Sequence, residues 1–308
     1  MDTPRISVVI ITYNQSNLIS RSVNSVLKQK DFIYELIISD DCSTDNTWDI
    51  IKDFQNKYPD KVKIYRNTQN LGIFKHIEKT WNYPTGDVIF YLAGDDEFCD
   101  GVFEKTTSFI LKEKIDFKNE YFTIYFDYVK VYKNGFKKVY RNNLIKKYNP
   151  ISLKIRNLIS NRTTGVSINV LRKFKKVENI GIFTDGLQDI QTQFNSKTNY
   201  YIKFVASKYY SDIGIGSRTY FKDLIISKIN LLKKYSLITK QKDDINWINY
   251  QINRNYLILN FEIKKYFAFL ISFSKSITFK FGIPLLLKEI IHFLYSNIIF
   301  IKMFLIKK

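Results

Sequence analysis

The stretch ISVVIITYN at residues 6–14 opens with a run of mostly β-branched apolar residues and then turns abruptly polar. Such a run is typical of a strand that is buried on both faces, as in a parallel sheet. Further short apolar runs at residues 36–38, 62–65 and 88–92 alternate with segments of helical periodicity. This alternation predicts βαβ units and an α/β fold.

Polar residues follow each of these predicted strands. In parallel sheets the ligand crevice lies beyond the carboxyl ends of the strands, so these residues are expected to meet in one crevice with an aromatic ring, two acidic pairs and a basic group. They are Thr12-Tyr13-Asn14, Asp40-Asp41, Arg66-Asn67 and Asp95-Asp96.

The pair Asp95-Asp96 directly follows an apolar run. Two adjacent carboxylates at a strand end repel each other unless a cation or hydrogen-bond donors neutralise them. Magnesium and manganese ions take carboxylate oxygens together with substrate phosphates. The pair therefore predicts a site for Mn²⁺ or Mg²⁺.

Composition and charge narrow the classes of function. The 308 residues are 45% hydrophobic, which excludes a disordered or collagen-like chain. Residues 1–110 carry a net charge of −4 and residues 111–308 a net charge of +23. The basic part favours nucleic acid, an anionic membrane surface or a phosphate-bearing substrate as partner. No nucleic-acid motif is recognisable and the acidic first third would repel a phosphate backbone, so no nucleic-acid partner is expected.

The later part of the chain is less regular. Further strands are predicted at residues 122–132, 166–171 and 202–206, with a hairpin turn at Gly135, and the pattern becomes helical after Ser217.

The C-terminal residues 281–308 end in a mostly apolar segment that polar residues interrupt. It is too short to cross a bilayer. It is expected either to lie on an anionic membrane surface through its lysines or to pack on the protein.

Two cysteines and an N-terminus without a secretory signal indicate a cytoplasmic chain. A position at the inner face of the membrane is expected.

Four motifs occur in order: VVIITYN at residues 8–14, ISDDCSTD at 38–45, NLG at 70–72 and GDVIFYLAGDD at 86–96. Together they resemble the family 2 glycosyltransferases, closely over residues 5–105 and weakly to about residue 217. The resemblance implies the GT-A fold, a Rossmann-like mixed sheet flanked by helices. It implies a catalytic domain at residues 1–217, with nucleotide-sugar binding in 1–110 and the acceptor side in 111–217. Residues 218–308 would form a helical extension.

The resemblance also implies an activity. It is the metal-dependent transfer, with inversion, of a sugar from a nucleoside-diphosphate donor, UDP favoured, to a glycan or lipid-linked acceptor in polysaccharide synthesis. The alternatives are a catalytically silent scaffold that binds nucleotide sugars and, less favoured, a basic nucleic-acid-binding protein.

The same resemblance assigns roles to residues. Tyr13 would stack on the base, Asp41 would accept from a ring N–H, and Asp95 would touch both ribose and metal. Asp96 would hold the metal against the diphosphate. The remaining nucleotide-binding candidates are Thr12, Asn14, Asn70 and Gly72. The family's Asp-x-Asp-Asp pattern is shortened here, because Ala93 stands at its first position.

The general base of the family closes a Glu-Asp pair that begins a helix. Here Thr184 replaces the glutamate and Asp185 takes the position of the base, with Asp189 one helical turn later as its rival. An N-terminal helix cap is an alternative role for Asp185. Lys75 and His76, together with Arg66, are candidate cations for the diphosphate.

Overall fold

A computed structural model of the chain describes residues 2–143, 164–175, 185–211, 221–239 and 242–262. The chain divides into two compact units, residues 1–231 and residues 232–308.

Strands and helices alternate through the first third of the chain and become less regular afterwards. The elements are β1 (Ile6–Thr12), α1 (Ile19–Leu27), β2 (Glu35–Asp40), α2 (Thr47–Lys57), β3 (Val62–Arg66), α3 (Gly72–Thr80), β4 (Val88–Ala93), β5 (Glu97–Phe98), α4 (Val102–Lys112), β6 (Phe122–Val131), β7 (Lys137–Tyr140), β8 (Thr164–Ser167), α5 (Ile168–Leu171), α6 (Asp185–Asn195), β9 (Thr198–Tyr210), α7 (Phe221–Ile238) and α8 (Lys242–Glu262).

The described strands form one sheet in the order β3-β2-β1-β4-β8-β6-β9-β5, with β7 paired to β6. Strands β1 to β4 run parallel. Strand β8 is antiparallel to both β4 and β6, so β6 runs in the direction of β4. Strand β9 is parallel to β6. The carboxyl ends of β1, β2, β3, β4, β6 and β9 therefore lie at one edge of the sheet.

The core lies on both faces of this sheet, because the side chains of β1 alternate between two layers. Ile6, Val8 and Ile10 pack with α1, α2 and α4, whereas Val9 and Ile11 pack on the opposite face with α3 and α5. All five are buried. This arrangement explains why residues 6–11 form an uninterrupted apolar run.

The close pairing of β4 with β8 depends on a residue without a side chain. A Cβ on Gly165 would lie 2.8 Å from the ring of Phe90. The two halves of the sheet meet where Phe90 pairs with Gly165.

The prediction of a strand over residues 166–171 is wrong beyond Ser167. The chain turns into α5 at Ile168, and the amide of Arg172 donates to the carbonyl of Ile168. Periodicity cannot separate a short buried strand from a buried helical turn. The hairpin turn predicted at Gly135 is present, with φ at +83°.

In the second unit, α8 follows the end of α7 and the ammonium of Lys233 lies 5.6 Å from the ring centroid of Tyr256. Ile248 and Tyr235 are buried. Residues 281–308, for which membrane or protein packing is expected, lie outside the described residues. No helix in the described ranges has both the length and the apolar character needed to cross a bilayer.

Candidate functional site at the carboxyl edge of the sheet

The residues that follow β1, β2, β3 and β4 lie side by side, as the parallel topology requires. Thr12 pairs with Asp40 in register, and the amide of Asp41 donates to the carbonyl of Thr12 at 3.0 Å. The amide of Asn67 donates to Asp40, and the amide of Gly94 donates to Ile11. The predicted polar residues thus share one edge.

The loop after β1 is tied to the loop after β2 through Asn14. This residue has a positive φ of 51°. Its amide donates to Ser43 Oγ at 2.9 Å, and its Oδ1 accepts from the amide of Thr44 at 2.8 Å. Thr12 is buried, whereas Tyr13 is 40% exposed. Of the three residues predicted here, Tyr13 presents a ring to solvent.

Asp41 holds the turn that begins α3. It is buried, and its carboxylate accepts from Asn67 Nδ2 at 2.7 Å and from the amides of Leu71 and Gly72 at 2.9 Å each. The amide of Gly72 also donates to Asn70 Oδ1. A carboxylate offers about four acceptor positions, so one further donor is compatible with these three bonds.

Asp40 is fully buried and anchors the following loop instead of facing a ligand. It accepts from the amide and hydroxyl of Ser43, and Arg66 Nε lies 3.2 Å from its carboxylate. Arg66 also donates to the carbonyl of Ser43. The guanidinium considered as a diphosphate ligand is therefore already bonded within the loop.

His76 lies close enough to Asp40 and Asp41 for their charges to act on its ring. It is buried, and its Nε2 lies 2.7 Å from Ser39 Oγ. Burial lowers the pKa of its imidazole, and the nearby Asp41 and Asp40 oppose that shift only in part. The ring is buried and bonded to Ser39, so its position does not support the expectation that His76 supplies a cation for the diphosphate. Lys75 is exposed on α3.

The Asp95-Asp96 loop packs closely against the end of β1. A Cβ on Gly94 would lie 2.4 Å from Gln15 Oε1 and 2.9 Å from Thr12 Oγ1. Only glycine leaves this approach undisturbed. Asp95 is buried and Asp96 is partly buried.

Strand β9 fixes the loop from the other side, through residues that the sequence did not single out. The amide of Tyr210 donates to Asp96 Oδ1 at 3.0 Å. The Tyr210 hydroxyl donates to Glu97, and Lys208 Nζ lies 3.2 Å from the other carboxylate oxygen of Glu97. Burial and the bond to Glu97 raise the pKa of Tyr210 to about 12.

Arg21 of α1 joins these groups. Its guanidinium lies 3.8 Å from the ring centroid of Tyr210 and donates to the carbonyl of Asp95, and its Nε lies 3.2 Å from Glu97. Ser22 donates to the carbonyl of Asp96. No sequence motif signals Arg21 or Tyr210, because they are 189 residues apart in the chain.

The metal prediction rests on two carboxylates. Across the described residues, no group of three or more His, Cys, Asp or Glu side chains is placed to hold a metal ion. Asp95 and Asp96 offer hard oxygen donors. Magnesium commonly uses one or two protein carboxylates and takes its remaining ligands from phosphates and water. The donor set present fits such an ion together with a diphosphate.

The two candidates for the general base lie on one helix. Asp185 begins α6, and its side chain lies outside the described part of the chain. Asp189 is partly buried near β6, where burial and the charge of Asp189 raise the pKa of the buried Tyr125.

The family is shown by a match to the model of glycosyl transferase family 2 over residues 7–180, more than half of the chain. The chain belongs to this family. Putative glycosyltransferase EpsE of Bacillus subtilis (strain 168) is 32% identical over 111 residues, covering 36% of this chain and 40% of that protein.

A second relative carries a name that states its substrates. UDP-Glc:alpha-D-GlcNAc-diphosphoundecaprenol beta-1,3-glucosyltransferase WfgD of Escherichia coli is 32% identical over 117 residues, covering 38% of this chain and 45% of that protein. The chain therefore spans less than half the length of these two relatives.

Among solved structures, S. aureus TarS 1-349 in complex with UDP-GlcNAc superposes with a TM-score of 0.64. The sequence identity is 17%, and the match covers 87% of this chain and 79% of TarS 1-349. At this sequence identity the match shows the fold and no more. It confirms the predicted mixed α/β fold of the GT-A type.

Proposed function

We propose that the chain is a metal-dependent, inverting glycosyltransferase. It moves a sugar from a nucleoside-diphosphate donor, UDP favoured, to a glycan or lipid-linked acceptor in the synthesis of a cell-surface polysaccharide. The observation that carries the proposal is the position of Asp95-Asp96 at the same sheet edge as Asp41 and Tyr13. Family membership and the substrates named for WfgD support it.

The nucleoside would bind where the loops after β1 and β2 meet. The exposed ring of Tyr13 is suited to stacking on the base, and Asp41 retains an acceptor position for a ring N–H. Thr12, Asn14, Asn70 and Gly72 would shape this end of the site. Asp95 would accept from ribose hydroxyls.

Asp95 and Asp96 would hold Mn²⁺ or Mg²⁺. Such an ion would neutralise charge on the diphosphate leaving group. The amide of Tyr210 orients the carboxylate of Asp96 before any ligand arrives.

Asp185 would act as the general base. It would remove the proton of the acceptor hydroxyl as that oxygen bonds to the anomeric carbon of the donor. The bond between the anomeric carbon and the diphosphate oxygen breaks on the opposite face, so the configuration inverts.

The remaining expectations are part of the same proposal. Residues 1–217 would form the catalytic domain and 218–308 a helical extension. The protein would act in the cytoplasm at the inner face of the membrane, and its net charge of +23 over residues 111–308 suits an anionic lipid-linked acceptor.

The donor site is tested by titrating nucleoside diphosphates with and without Mn²⁺ in a calorimeter and then assaying sugar-nucleotide hydrolysis and transfer. Asp96→Asn should lower turnover by at least about 10²-fold. Asp100→Asn is the matched control, because that exposed aspartate lies four residues further on. Unchanged turnover in Asp96→Asn would remove the basis of the proposal. Nucleotide binding without turnover in the unmodified chain would indicate the silent scaffold.

The base is tested by comparing two variants on α6. Asp185→Asn should lower kcat by about 10² to 10⁴-fold while UDP affinity is unchanged. Asp189→Asn should retain most of the turnover. The reverse result would assign the base to Asp189.

A further inference from the structure

The hairpin formed by β6 and β7 carries an unusual concentration of positive charge. Residues 130–138 contain four lysines and no acidic residue. The four are Lys130, Lys133, Lys137 and Lys138. At the turn, Phe136 is 59% exposed next to Gly135. A cationic hairpin thus ends in an exposed aromatic ring.

The lysines of the hairpin repel one another. Lys130 lies directly opposite Lys138 in the β6–β7 register, and like charges at such positions are destabilising. Within the described residues, no carboxylate forms an ion pair with Lys130, Lys133, Lys137 or Lys138. An external anionic partner would relieve this repulsion.

Two tyrosine rings of the hairpin, Tyr132 and Tyr140, are already covered by neighbours, whereas Phe136 is exposed beside Tyr132, with ring centroids 5.5 Å apart. The ammonium of Lys130 lies 4.7 Å from the ring centroid of Tyr132, and that of Lys138 lies 5.1 Å from the ring centroid of Tyr140. Tyr140 also stacks on Tyr128 at 5.0 Å. These two tyrosine rings do not offer open platforms for sugars. Among the described residues of the hairpin, Phe136 is then the single open ring, which disfavours a glycan as the partner.

The hairpin projects from the edge of the sheet that carries the candidate site. Val131, the last residue of β6, pairs with Tyr210 at the end of β9, and the amide of Tyr210 donates to Asp96. A surface bound by the hairpin would therefore lie beside the Asp95-Asp96 loop.

We propose that the β6–β7 hairpin docks on the surface of an anionic lipid bilayer. The lysines contact lipid phosphates, and the ring of Phe136 enters the interfacial layer. The docking itself does not require catalysis. The role of the docking rests on the proposed function, because docking would bring a lipid-linked acceptor to the candidate site at this edge of the sheet.

Sedimentation with vesicles tests the charge. The full chain, without nucleotide, is mixed with vesicles of phosphatidylcholine alone or with phosphatidylglycerol added. The double variant Lys133→Gln with Lys137→Gln should bind the anionic vesicles about 30-fold more weakly, roughly fivefold for each lysine. The control removes the same charge from two exposed lysines outside the hairpin, Lys28→Gln with Lys112→Gln. An equal loss in both double variants, or a loss in neither, overturns the proposal.

Fluorescence tests the position of the ring. In Phe136→Trp the introduced tryptophan should shift its emission to the blue on anionic vesicles and be quenched by brominated lipid, relative to the unmodified chain. Absence of that shift overturns the proposal. The proposal is also overturned if the double lysine variant loses binding to an anionic glycan while its vesicle binding stays intact. UDP titration of the same variants in solution keeps the two questions apart. Failure to bind UDP counts against the proposed function and leaves the vesicle result standing.

Discussion

Gly94→Ala tests whether the Asp95-Asp96 loop depends on its close contact with β1. The added methyl would lie 2.4 Å from Gln15 Oε1 and 3.0 Å from Thr12 Cβ. The end of the Gln15 side chain can move away, at the loss of its 2.7 Å bond from Thr12 Oγ1. The Cβ of Thr12 cannot move away from the added methyl, because Thr12 is the last residue of a buried strand.

The expected cost follows from these two contacts. Loss of the Thr12–Gln15 bond costs about 1 kcal/mol, and overpacking against Thr12 costs about 1–3 kcal/mol. We expect the free energy of unfolding to fall by about 2–4 kcal/mol. Displacement of Asp95 and Asp96 should also lower turnover by about 10²-fold, the effect of a misplacement of roughly 1 Å.

Denaturant unfolding and a sugar-nucleotide hydrolysis assay measure both effects. Gln15→Ala removes the nearer obstacle, so Gly94→Ala with Gln15→Ala should lose less stability than the two single variants added together, by at least about 0.5 kcal/mol. Strict additivity, or a Gly94→Ala protein with normal stability and turnover, would refute the close contact as the reason for glycine.

Two further predictions concern charged groups that hold loops. Arg21→Gln should weaken UDP binding in the presence of Mn²⁺ and leave UDP binding without the metal unchanged. Arg21→Lys should restore the Mn²⁺-dependent binding only in part, because an ammonium lacks the guanidinium fork. Equal losses with and without Mn²⁺ in calorimetry would mean that Arg21 has a general structural role. Glu35 is buried, yet hydrogen bonds from Lys63, Ser7 and Thr85 outweigh the effect of burial and lower its pKa below the usual 4.5. Glu35→Gln should therefore be less stable at neutral pH by about 1–3 kcal/mol. The difference should shrink as pH falls below 4.5, because the unfolded carboxylate takes up a proton there while the native one does so only at its lower pKa. A constant difference in urea unfolding across this range would contradict the prediction.

The local features of the sequence predicted the sheet edge well. The apolar run at residues 6–11 and the polar residues after each early strand are contiguous signals, and both the parallel sheet and the shared edge are confirmed. The strand predicted over residues 166–171 was wrong beyond Ser167, because a short apolar run fits either a strand or a buried helical turn.

The bonds that orient the site were beyond local patterns. Asp41 binds the amides of Leu71 and Gly72, and Asp96 binds the amide of Tyr210. A main-chain donor cannot be predicted from residue type, because every residue except proline has a backbone amide. The burial of His76 likewise depends on how α3 packs on the sheet.

The main-chain bond from residue 210 to Asp96 also bears on how such a protein can vary. Every amino acid except proline carries this amide, so this one restraint on the acidic loop survives a change of side chain at residue 210, whereas the contacts of the Tyr210 and Lys208 side chains with Glu97 do not. A chimera that replaced β9 by a strand of unrelated composition would keep the restraint as long as the backbone followed the same path. A proline at this one position would release it.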